Sequence, residues 1–326
     1  MPKKVRTNEE RTADPAAQQM LIRADELGLE TAFHRADNFV PCNIGAAGMC
    51  CKLCGMGPCR LTKDGMTGVC GATIDTIQAR NLIRAIAAGA AAHSDHGRDM
   101  AFTLKAVANG EAEGYMIRDV AKLRTVAAYY EIDTEGRSPE DIANDLADLY
   151  IDQFGQQKGQ VASLRRAPKK RQERWAEHGV VPRGIDREVV EALHRTHIGD
   201  DQDPEHILQH AIQTSLADGW GGSLIATDVS DILFGTPAPV LGQANLGVLK
   251  ADMVNVVVHG HEPTLSEMIV AASQDPEIVE YAKAAGASGI NLTGICCTAN
   301  EILMRQGIPA AGNFLHQELS ILTGAV

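Results

Sequence analysis

Cys51, Cys54, Cys59 and Cys70 form the pattern C-x2-C-x4-C-x10-C, and five of the chain's 8 cysteines lie between Cys50 and Cys70. Structural zinc sites usually show two paired knuckles. This segment has one tight pair followed by unevenly spaced thiols, which suits a [4Fe–4S] cube whose irons each take one thiolate. Gly55, Gly57, Gly65, Gly68 and Gly71 let the backbone approach inorganic sulfur. The spacing ranks iron–sulfur ahead of zinc, and zinc ahead of disulfides.

Cys42 and Cys50 are left over, at C-x7-C spacing. Two thiolates cannot fill a four-iron cluster, but a twofold dimer could supply two from each chain to one cluster on its axis. Two buried or free thiols is the competing reading. Cys296 and Cys297 precede the helix-forming "TANEILMRQ", and a helix N-terminus lowers a thiol's pKa. His259 and His261 follow a short β-branched run. His93 and His96, spaced i, i+3, share a helix face and could pass protons, or could simply donate to Asp95 or Asp99. His194, His197, His206 and His210 lie in strongly charged surroundings and read as surface.

The elements that must position these groups change along the chain. The first forty residues are polar and helical, and the cysteine segment runs from Cys42 to Gly71. Helical patterns then cover Ala72 to about Gly110, "SPEDIANDLADLY" with Ser138 as N-cap and Pro139 at the first position, and three later stretches ending near Ala217. After Pro239 the grammar becomes strand, helix, helix, strand, helix: Met253 to Val258, Thr264 to Ser273, Pro276 to Ala285, "GINLTGICC" and Asn300 to Gln306. That alternation predicts a parallel sheet, whose ligands sit at the carboxyl ends of its strands. Two clear strands are too few for a buried parallel sheet. The expected fold is thus an α-helical N-terminal domain followed by an α/β Rossmann-like domain, incomplete in this chain. Its expected divisions are a cluster-binding segment at 1–71, a helical domain at 72–235 and the partial α/β domain at 236–326.

With 44% hydrophobic residues the chain can bury a sizeable core. Its net charge of −12 argues against nucleic acid as a partner. The basic runs Lys3-Lys4 and "KKRQER" read as solvated faces. No apolar stretch reads as a secretion signal or a membrane span, so a cytoplasmic location is expected. There, clustered cysteines favour metal or redox roles over disulfides.

Taken together, "CNIGAAGMCCKLCGMGPCR" with Cys70, "RAIAAGAAAHSDH", "TSLADGWGGSLIATDVSDILFGTP", "VVVHGHEPTLSEMI" and "GICCTANEILMRQGI" resemble the catalytic subunit of nickel-dependent, anaerobic carbon monoxide dehydrogenases. The resemblance implies oxidation of CO with water to CO2, two protons and two electrons. It implies that Cys51, Cys54, Cys59 and Cys70 hold a [4Fe–4S] cluster, B. Cys42 and Cys50 would hold half of a [4Fe–4S] cluster, D, shared across a homodimer. His261 and Cys297, with Cys296 as the less favoured neighbour, would hold part of a nickel–iron–sulfur cluster, C. His93 and Asp218 would stand at the active site, His96 would be the next step of a proton channel, and a ferredoxin-like protein would accept the electrons.

Two features depart from the family pattern. The histidine series gives way to Asp99 and Phe102. The family's remaining cluster-C ligands and a catalytic lysine are expected beyond Val326, so the chain reads as a C-terminally truncated fragment, inactive by itself. The competing functions are a hybrid-cluster (prismane-type) hydroxylamine reductase-like protein and a non-catalytic iron–sulfur electron-transfer module.

Overall fold

A computed structural model describes residues 5–261 and 263–326. Lys3, Lys4 and Glu262 of the "VVVHGHEPTLSEMI" stretch lie outside the described residues. In chain order the helices and strands are α1 (Asn8–Arg11), α2 (Pro15–Glu26), α3 (Ala32–Asp37), α4 (Asn43–Ala46), β1 (Cys50–Cys51), β2 (Cys59–Arg60), α5 (Ile74–Ala108), α6 (Val120–Tyr129), α7 (Pro139–Gly155), α8 (Lys169–Glu177), α9 (Ile185–Arg195), α10 (Pro204–Ala217) and α11 (Ser223–Phe234). Then follow β3 (Val254–His259), α12 (Pro263–Ser273), α13 (Pro276–Ala284), β4 (Ile290–Ile295), α14 (Cys296–Gln306), β5 (Ala310–Gly312) and α15 (Phe314–Leu322).

The chain forms two compact units, 41–235 and the discontinuous pair 5–40 with 236–326. The second grouping differs from the linear division at 71: residues 5–40 group with the stretch 236–326.

Unit 41–235 is helical and is organised on α5. At 35 residues it is about 52 Å long by its rise per residue. Thr73 caps it by accepting from the Thr76 amide. Its buried face includes Ala87, Ala90, Gly97 and Ala101, small side chains that let neighbouring helices approach closely. A Cβ on Gly97 would lie 2.4 Å from the Gly222 carbonyl oxygen, and one on Gly222 would lie 2.7 Å from that of His93. Ser138 and Pro139 start α7 as their residue types require, with the hydroxyl accepting from the Asp141 amide. The main core joins Met100, Leu104, Leu123, Leu146 and Val229. Burial of such side chains contributes about 1.5–3 kcal/mol each.

One expectation fails inside this unit. His210 is not a surface residue: it is 2% exposed and bonded to the fully buried Glu188 at 3.1 Å. Charged sequence neighbours made it read as solvated, but its partner Glu188 comes from a different helix, α9. Arg183 donates to both Glu188 and Glu191.

The discontinuous unit carries a three-stranded parallel sheet in the order β3-β4-β5, with Val254 opposite Ile290 and His259 opposite Ile295. The central strand β4 is buried over five of its six residues, as an apolar run between two neighbours should be. Gly294 is needed there because a Cβ would meet the Ala299 backbone at 2.5 Å. A mixed layer of Ala17, Leu21, Phe33, Leu246, Ile295 and Leu319 ties α2, α3 and α15 to the sheet. Arg35 and Glu318 add a two-hydrogen-bond ion pair.

Candidate metal centres

β1 and β2 form a two-residue antiparallel ladder that sets Cys51 directly opposite Cys59. Gly57 allows the intervening turn, since a Cβ would sit 3.0 Å from the Cys51 carbonyl oxygen. Cys51, Cys54, Cys59 and Cys70 line one cavity of about 90 Å³, with apolar neighbours that include Leu53, Val69 and Ile77. Gly199 keeps the Cys70 side open: with φ near 77°, it would otherwise place a Cβ 2.9 Å from the Cys70 Cβ. Among the described residues no three His, Cys, Asp or Glu side chains are arranged to hold a metal ion. The four thiols border the cavity instead of meeting at one point.

Arg80 is the member of this site that the sequence did not reveal. It is 1% exposed, donates to the Asp201 carbonyl at 2.6 Å and places Nη1 3.7 Å from the Cys70 sulfur. The signal was present: Ile77, Arg80, Ile83 and Ala87 share the buried face of α5. An arginine in an apolar stripe requires an anionic or carbonyl partner. Burial alone would raise the Cys70 pKa, but the Ala72 amide, Arg80 and Gln202 together hold it below the usual thiol value.

Cys42 is the exposed N-cap of α4, and the Gly45 and Ile44 amides, with Arg60, lower its thiol pKa. Cys50 is half-buried on β1. Neither lines the four-thiol cavity.

Within the same unit His93 and Asp218, far apart in sequence, meet at 2.8 Å between Nδ1 and Oδ1. The same oxygen accepts from the Ser223 hydroxyl at 3.0 Å. Asp218 opens a single π-helical turn, Asp218–Gly222, an irregularity common at functional sites. The Gly97–Gly222 approach brings that turn onto α5. Asp95, a partner considered for the histidines from sequence, pairs with Arg98 at 2.6 Å instead. His96 lies one turn along α5, half-buried.

In the other unit the carboxyl ends of β3 and β4 meet as expected, through a different pair from the one the sequence favoured. His259 Nε2 lies 3.1 Å from the Cys296 sulfur and its Nδ1 lies 2.5 Å from Gln317 Oε1. Cys296 turns directly from strand into helix with φ near 62°, an uncommon conformation for a residue with a Cβ. The helix therefore starts at Cys296, not at Asn300. Cys297 is half-buried, and burial, Cys296 and Glu301 raise its pKa. The expected lowering by the helix terminus does not prevail there, because burial and two neighbouring acidic groups oppose it. His261 is exposed, and the preceding Gly260 carbonyl accepts from the Thr298 amide at 2.9 Å.

A model of the prismane/CO dehydrogenase family matches residues 49–326. Carbon monoxide dehydrogenase 1 of Methanosarcina mazei is 55% identical over 321 residues, covering 97% of this chain and 51% of that protein. Carbon monoxide dehydrogenase 1 of Carboxydothermus hydrogenoformans is 45% identical, covering 98% and 51%. The nickel-free crystal structure of carbon monoxide dehydrogenase from Thermococcus sp. AM4 matches with a TM-score of 0.95 at 50% identity, over 100% of this chain and 52% of that one. The chain spans about half the length of the curated relatives it matches.

Proposed function

The chain belongs to the prismane/CO dehydrogenase family, and from that premise we propose that it serves anaerobic oxidation of CO with water to CO2, two protons and two electrons. The observation that carries the proposal is the cavity lined by four thiols, in a chain 55% identical to a carbon monoxide dehydrogenase. The names of the curated relatives favour this reading over a hybrid-cluster reductase.

Cys51, Cys54, Cys59 and Cys70 would hold the [4Fe–4S] cluster B. The apolar lining and the buried Arg80 suit a cluster with anionic thiolate ligands. Cys42 and Cys50 would supply half of cluster D in a homodimer. His261 and Cys297 would ligate part of the nickel–iron–sulfur cluster C, with Cys296 the alternative thiol. Such centres, when bound, supply the CO site and the path for electrons to a ferredoxin-like acceptor. His93 is the proton-handling residue: Asp218 holds its Nδ1 proton and so fixes the tautomer that takes up a proton at Nε2. Ser223 holds Asp218 in place for that task, and His96 would be the next step. The three-stranded sheet would belong to a Rossmann-like domain, and the location would be cytoplasmic. No described helix is long and apolar enough to cross a membrane.

Anaerobic reconstitution tests the cluster assignment. About four irons per chain should depend on the four cavity thiols, and a Cys54→Ser variant should lose them. Replacing Cys42 and Cys50 together should remove about half a cluster per chain, since a twofold site is shared. Stoichiometric zinc with no iron uptake would overturn the reading.

A further inference from the structure

The basic run "KKRQER" lies on α8, as an exposed face. Lys169, Lys170 and Arg171 fill its first turn, and none of the helix's nine residues is fully buried. Helix N-termini favour acidic side chains, because the exposed amides carry positive partial charge. α8 has no acid in that turn, and Pro168 provides no side-chain cap. No ion pair forms at Lys169, Lys170 or Arg171 among the described residues. Arg174 has only an exposed pair with Glu177 at 3.2 Å.

Lys170, Arg171 and Arg174 rim a groove of about 630 Å³ whose other walls include Trp175, Val180 and Ile212. Ile212 is 53% exposed, and the half-buried Trp175 ring meets Trp220 at 5.8 Å between centroids. An indole and an exposed isoleucine framed by arginine and lysine match the make-up of interface hot spots. The chain as a whole carries a net charge of −12, which acts against acidic partners. Here the sign is reversed locally. A simple inorganic anion would satisfy the cations and leave the apolar floor uncovered. Nucleic acid is disfavoured by the overall charge.

We propose that this groove docks an acidic segment of a partner protein, with carboxylates against Lys170, Arg171 and Arg174 and an apolar side chain against Trp175 and Ile212. The site is separate from the thiol cavity and does not depend on metal loading.

Trp175 and Trp220 are the chain's only tryptophans, so its intrinsic fluorescence reports on this groove. The full chain is titrated with a short amphipathic peptide of glutamate and leucine, with its glutamine counterpart, and with inorganic phosphate. The glutamate peptide should shift the emission saturably, and added salt should weaken its binding. Lys170→Glu with Arg171→Glu should reduce its affinity by roughly tenfold or more, as reversal of close charge pairs does. The glutamine peptide should bind more weakly than the glutamate one. Both substitutions are on exposed side chains, and an unchanged circular dichroism spectrum confirms that the variant folds. Absence of an emission shift, equal binding to the charge-reversed chain, or a response to phosphate alone would overturn the proposal.

Discussion

Arg80 shows how one buried charge can be held beside the thiol cavity. A guanidinium that is 1% exposed needs compensating charge or hydrogen bonds, and it has a carbonyl and a thiol within reach. Arg80→Met is expected to raise the Cys70 pKa and to speed loss of iron from reconstituted protein to a chelator by several-fold. Arg80→Lys should restore part of the retention, because it returns the charge without the planar fork. Identical release rates in all three proteins would remove Arg80 from the site. Glu188 supports a pH prediction. Burial would raise its pKa, but hydrogen bonds from His210 and Arg183 outweigh burial and bring it from 4.5 to about 2. A carboxylate depressed in the fold stabilises it fully above the unfolded value, and that contribution disappears as pH falls from 4.5 towards 2. The loss is about 3 kcal/mol. Denaturant titrations across that range should show the decline, and Glu188→Gln should be less stable at neutral pH and lack this component of the slope.

The helix pair α5 and α11 depends on two glycines with no room for a methyl group. Gly97→Ala would drive a Cβ into the Gly222 carbonyl. Overpacking of this kind costs about 1–3 kcal/mol, and the melting temperature should drop by several degrees. The displacement falls on the turn that carries Asp218, so the His93 ring resonances should move in NMR spectra of the variant. An unchanged melt and unchanged His93 resonances would show that the helices separate without consequence. Elements like these were largely legible in the sequence. Ser138-Pro139, the alternating pattern after Pro239 and the small-residue run of α5 each state a local rule. β5 was not legible: "AAG" is short and has no β-branched side chain, and it becomes a strand only because β4 lies alongside it. The inward turn of His210 was equally hidden, since its partner Glu188 lies on a different helix. The thiol spacing announced the cavity, whereas the His259–Cys296 contact depends on strand register.

At the scale of the molecule, ligand number limits what the described residues can do. Eight cysteines supply six thiols to the proposed B and D clusters. Cys296, Cys297 and the two strand-end histidines then remain for cluster C. That set is small for a nickel–iron–sulfur centre, whose geometry needs several fixed ligands. The 326-residue chain, loaded with iron and nickel, is therefore expected to take up iron without reducing viologen dye under CO. CO-dependent dye reduction at the rate of a full-length relative would refute this. The partition of the chain into a contiguous unit and a split one also sets an order of events during synthesis. Residues 41–235 leave the ribosome as a complete folding unit. α2 and α3 emerge before them, whereas their partners on β5 and α15 emerge after them. At translation rates of about 5–20 residues per second, that delay is on the order of tens of seconds. During it the apolar face of α2 stays uncovered, although every residue that lines the cysteine cavity has already been made.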